Sequence, residues 1–219
     1  MTIPKVYRKS REQTIASYDA VDLAEGTGTV KYYFALNENS TGQDHILTRD
    51  YTIYSKLIET PFNPPGTSFT KEVDLDFDLS AFNLPSTLRG TAIFQMAAKQ
   101  TNNAAGNSTE MYLIVKVRKW DGATETEIAS GQTETFITPA ETVSTTIFNL
   151  PIVIPRTGYK KGEVLRVTVE AWTRQVNAGG SASWLGHDPR NRDGDGIIPS
   201  TDDPVTFTNS HILIPYEII

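Results

Sequence analysis

Val73-Asp74-Leu75-Asp76-Phe77-Asp78-Leu79 sets four apolar residues and three aspartates in alternation. Successive side chains of a strand point to opposite faces, so this period of two sends Val73, Leu75, Phe77 and Leu79 to a core and the aspartates to water. A helix, with its period of 3.6, would scatter both sets around its axis. Three like charges on one strand face repel one another, so the pattern also calls for Lys side chains or other cations beside them.

The same reading extends outward. Residues 30–34, 51–54, 91–98, 111–120, 124–137, 145–154, 164–176 and 210–218 are rich in β-branched and aromatic residues, with periods close to two, and join 73–79 as candidate strands. Tyr112-Leu113-Ile114-Val115 is nearly continuous in apolar character, which marks a central strand. Asp121-Gly122 and Lys160-Lys161-Gly162 read as tight turns, with Gly162 available for a positive φ. About eight to nine short strands without interleaved helices predict an all-β fold, an antiparallel jelly-roll-like β-sandwich. Long connections at 37–50, 61–67, 100–108 and 177–204 fit that layout. Residues 29–219 read as one sandwich domain, and residues 1–28 as an N-terminal arm or edge strand that docks on a neighbour.

Composition narrows the function. The 219 residues include 20 Lys and Arg against 26 Asp and Glu, a net charge of -6, which opposes direct nucleic-acid binding. There is no cysteine, so disulfides, zinc thiolates and thiol nucleophiles are excluded together. The first residues hold no apolar run of signal-peptide length, and no stretch approaches the roughly 18 apolar residues of a membrane helix; the reading is a chain with no membrane partner.

Catalytic patterns are weak. The three histidines, at 45, 187 and 211, lie in separate stretches. Gly180-Ser181-Ala182-Ser183 lacks the final glycine of a G-x-S-x-G elbow, and no phosphate-cradling glycine loop occurs. The spaced aspartates read as a solvated strand face rather than a glycosidase pair. The expectation is a protein that is not an enzyme.

Two loop features carry binding chemistry. In the run from Asn191 to Asp202, the oxygen side chains of Asn191, Asp193, Asp195 and Asp202 surround Gly196 at the spacing of a calcium loop, because a hard cation takes six to eight oxygens and glycine permits the bend. Calcium there would order the loop. Trp184, beside Gly179-Gly180-Ser181-Ala182-Ser183, is the candidate platform for a host glycan, whereas Trp120 and Trp172 fall in strand patterns and read as core or sheet-face residues.

Ile15-Ala16-Ser17-Tyr18 with Ala24-Glu25-Gly26-Thr27-Gly28, and His187-Asp188-Pro189-Arg190-Asn191-Arg192-Asp193-Gly194 followed by Ile212-Leu213-Ile214-Pro215-Tyr216, resemble virion structural proteins of environmental tailed phages and related viruses. The resemblance implies a capsid decoration or minor capsid subunit, homo-oligomeric and bound to other capsid proteins. It implies a virion location, with assembly in the host cytoplasm. The alternative is a carbohydrate-binding β-sandwich used for host attachment.

Overall fold

The computed structural model describes residues 26–39, 42–50, 59–64, 66–103, 105–175, 180–187 and 210–217. They form β1 (Thr27–Asn39), β2 (Gly42–Thr48), β3 (Glu59–Phe62), β4 (Thr70–Asp78), β5 (Ser86–Asn102), β6 (Thr109–Trp120), β7 (Glu125–Gln132), β8 (Phe136–Thr138), β9 (Thr142–Tyr159), β10 (Val164–Gln175), β11 (Ser181–Gly186) and β12 (His211–Glu217). The fold is all-β. Twelve described strands exceed the eight to nine read from the sequence.

One ladder, in the order β3-β11-β5-β12-β1-β2-β4-β10-β6-β7, wraps into two layers. Two long strands organise them. β5 has β9 along one side and β12 followed by β11 along the other, while β6 has β10 on one side and β7 followed by β8 on the other. Among the described strands the layers meet at a single parallel bridge, Ile46 of β2 opposite Asp78 of β4, and every other described pairing is antiparallel.

The core lies between the layers. Phe34 of β1 sets its ring edge-on to Phe77 of β4 at 4.8 Å and to Phe94 of β5 at 5.5 Å, so one buried side chain ties both layers together. Phe136 of β8 meets Phe148 of β9 in the same way. Gly131 of β7 lets that strand approach Leu150 of β9; a Cβ there would stand 3.2 Å from the Leu150 side chain. The expected turn at 160–163 is present, with Gly162 at φ +90° and Glu163 N–H donating to the Lys160 carbonyl.

Three elements depart from the sequence reading, and two of them, β11 and the end of β5, share one cause. β2 lies inside the expected loop 37–50, β11 lies inside the expected loop 177–204, and β5 runs on to Asn102 through the expected loop start at 100. At this end of the sandwich the inward side chains are polar: Gln100 Nε2 donates to Ser183 Oγ at 3.2 Å, and Thr138 Oγ1 donates to Gln100 Oε1 at 3.1 Å, all buried. A buried polar chain replaces the apolar alternation by which strands are read from sequence. The candidate strand 124–137 divides into β7 and β8 because Thr133 leaves the ladder to clasp Leu113, its N–H and Oγ1 both bonding that residue's backbone. Residues 51–54, and residues 1–25 of the expected arm, lie outside the described residues; Thr27 and Gly28 belong to β1, opposite Glu217 and Tyr216.

Candidate functional site

The outward face of β4, β10 and β6 is an ionic lattice. The aspartates that open the sequence reading find the cations they call for. Lys71 Nζ meets Asp74 at 2.6 Å, Arg166 grips Asp78 through two parallel bonds of 2.7 Å, and Asp76 accepts from Arg166 and Thr168. Glu125 bridges Arg166 and Arg118. Glu170, buried, accepts from Lys116 Nζ at 2.6 Å and from the Trp172 indole N–H at 3.1 Å. Burial works against its charge, yet these donors and Lys71 outweigh it and hold the carboxyl below its ordinary range. Trp172 stacks parallel to Tyr112, and Arg166 covers the Trp120 ring, so both tryptophans are sheet-face residues.

The outward face of β9 and β5 is built from other material. From 143 to 155 the outward row of β9 is Val143, Thr145, Ile147, Asn149, Pro151, Val153 and Pro155, and β5 adds Thr91, Ile93, Gln95 and the buried Ala97 beside it. None of these side chains ionises; the next β5 residue of the row, Lys99 opposite Thr145, does, and its Nζ lies over the Trp184 ring. Val153 is 74 % exposed, Val143 57 % and Ile93 37 %. Prolines cannot donate to a ladder and belong on edge strands, which is where Pro151 and Pro155 sit.

Where β2 and β4 part after their one parallel bridge, a cleft of about 430 Å³ opens. The segments leaving these strands, Leu47 to Arg49 and Leu79 to Asn83, form its walls, with Val30, Tyr32 and Tyr216 behind. The Tyr32 and Tyr216 hydroxyls lie 2.7 Å apart, and Arg49 donates to the Tyr32 hydroxyl at 3.3 Å while its guanidinium covers the Tyr32 ring. Burial and the neighbouring Tyr32 push the Tyr216 hydroxyl well above the usual tyrosine range, so it stays protonated. Sequence reading missed this cleft: Tyr32 and Tyr216 are 184 residues apart, and Arg49 falls in an expected loop.

The calcium residues Asn191, Asp193, Asp195 and Asp202 lie outside the described residues. Among the described residues no group of three or more His, Asp or Glu side chains is arranged to hold a metal ion. His45 and His187 do converge, with ring centroids 5.5 Å apart beside Phe77, whereas His211 stands against Tyr33. Trp184 is not a loop residue: it lies in β11, opposite Lys99 of β5, and Lys99 Nζ stands 5.0 Å over its ring. That contact covers a ring face a sugar would need. No described helix is long and apolar enough to cross a membrane.

No protein-family model matches the sequence, and no curated protein matches it. Solved structures do. A CocE/NonD family hydrolase from Staphylococcus aureus is 11 % identical over 85 % of this chain and 41 % of its own, with a TM-score of 0.41. An α-amino acid ester hydrolase is 12 % identical over 67 % of this chain and 25 % of its own, with a TM-score of 0.40. A structure of infectious bursal disease virus, Gx strain, is 13 % identical over 88 % of this chain and 46 % of its own, with a TM-score of 0.32. The chain therefore spans less than half the length of each. The expectation that this protein is not an enzyme is overturned by these matches, because hydrolases stand among them. A missing G-x-S-x-G elbow is no ground for excluding catalysis in a chain that spans only part of the matched proteins. At these identities and TM-scores no catalytic residue, substrate or partner is carried over.

Proposed function

We propose that the chain is a structural subunit of a virus particle, a decoration or minor capsid component, which packs against neighbouring copies through the outward face of β9 and β5. The observation that carries this reading is the row of exposed, uncharged side chains around Val143, Val153 and Ile93. Contiguous exposed apolar surface marks interaction sites, and permanent interfaces are more apolar than transient ones. The occupant follows from charge. Copies that each carry -6 repel, and this face brings two copies together without setting carboxylates against carboxylates. The ionic face cannot do so, since its carboxylates already hold its cations. The resemblance of both chain ends to phage virion proteins supports the same reading, with residues 1–28 as a second contact and the virion as the location.

Quantitative mass spectrometry of purified particles tests it. The expected result is a fixed, whole-number ratio of this chain to the major shell protein. Absence from the particles overturns it.

A further inference from the structure

We propose that the cleft between Leu47–Arg49 and Leu79–Asn83 binds a carboxylate on a small apolar body, held between the Arg49 guanidinium and the Tyr32–Tyr216 hydroxyl pair. This inference stands apart from the particle reading, since the cleft lies where β2 and β4 diverge and shares no residue with the outward rows of β9 and β5.

The donors outnumber the acceptors. Tyr32 O accepts from Arg49, and the two hydroxyls share one hydrogen bond. If Tyr32 donates to Tyr216, the Tyr216 proton is left to give; if Tyr216 donates to Tyr32, the Tyr32 proton is left. Either way one hydroxyl proton remains uncommitted within the trio, next to a guanidinium with four further N–H groups. Among the described residues no aspartate or glutamate lines the cleft, and no carboxylate forms an ion pair with Arg49. Among the described arginines, Arg118, Arg156, Arg166 and Arg174 are each paired with a carboxylate, and Arg49, like Arg89, is not. One positive charge in a chain of net -6 thus faces an opening with no counter-charge among the described residues.

The charge and the walls define the ligand. One guanidinium and one hydroxyl proton match the two oxygens and single charge of a carboxylate; a phosphate would leave a second charge unanswered. Val30, Leu47, Leu79 and Phe82 give apolar wall, and a volume of about 430 Å³ suits a small molecule or one or two residues of a peptide end.

The same chemistry is offered by a free organic acid and by a peptide C-terminus. The full chain, labelled with ¹⁵N-arginine, is titrated with 3-phenylpropionate, with 3-phenylpropanol, and with N-acetyl-Leu-Phe as free acid and as amide, following the Arg49 Nε–Hε signal. The signal moves and saturates with at least one acid and not with its uncharged counterpart. Saturation by 3-phenylpropionate identifies a small acid, and saturation by the peptide acid alone identifies a chain end. By isothermal titration calorimetry, a readout that does not depend on the Arg49 signal, Arg49→Gln weakens binding about tenfold or more, and Tyr216→Phe, which keeps the ring, weakens it by a smaller factor. Both variants keep the wild-type circular dichroism spectrum. Failure of both acids, equal binding of an uncharged counterpart, or unchanged binding by folded Arg49→Gln overturns the proposal.

Discussion

The two outward faces of the sandwich follow one backbone rule and differ in what they present to solvent. On β4, β10 and β6 most outward residues are charged or aromatic, and charges meet complements within the face, as Asp78 meets Arg166 and Glu170 meets Lys116. On β9 and β5 the row from Val143 to Pro155 and from Thr91 to Ala97 is uncharged, and Val153 and Val143 meet solvent. A face that satisfies itself has little to gain from a partner, whereas a face of exposed valine and proline gains by being covered. The proposed contact surface rests on this difference rather than on any motif in the chain.

The largest expected effect comes from removing what both faces share. Phe34→Ala deletes the ring that joins β1, β4 and β5, and should lower stability by about 3–5 kcal/mol, read as a shift in the urea midpoint; a change below about 1 kcal/mol would mean that the layers do not depend on this junction. Next is the ionic lattice. Arg166→Ala leaves Asp76, Asp78 and Glu125 without their common cation, and the expected loss is about 1 kcal/mol after solvent screening. The loss should shrink in high salt, and indifference to salt would show that packing on Trp120 matters more.

Acid sharpens the contrast further. Glu170 titrates below its unfolded value, near about 4.3, so its stabilisation is complete above that pH and is lost as pH falls through the lower, folded pKa. Glu170→Gln should flatten the fall in melting temperature below about pH 4. An unaltered acid limb would assign the fall to other carboxylates. The smallest effect on stability belongs to the other face: Val153→Lys should stay within about 0.5 kcal/mol of wild type and keep the wild-type acid limb. Association between copies, followed by sedimentation velocity, should nonetheless be lost. Intact association would remove the face of β9 from the interface.

Much of the fold is legible from residue order, because an alternating strand carries its own burial instructions. Residues 73–79 announce β4, the run through Tyr112 and Val115 announces the central β6, and the turn at Gly162 is readable from its composition. Strands whose inward residues are polar escape that reading. Ser183 and Gln100 look like loop chemistry until each is seen to complete the other's hydrogen bond from 83 residues away. The ionic face is half legible, since three aspartates on one strand call for cations, but Arg166 as their partner depends on the register of β10 against β4. Sequence alone determined the all-β class, the alternation and the net charge, since these depend on residue type and local spacing. The tertiary structure decided the rest: which outward row would be apolar across two strands, and that Arg49, Tyr32 and Tyr216 would meet where β2 and β4 part. Those outcomes rest on pairing between distant segments, which local spacing does not encode.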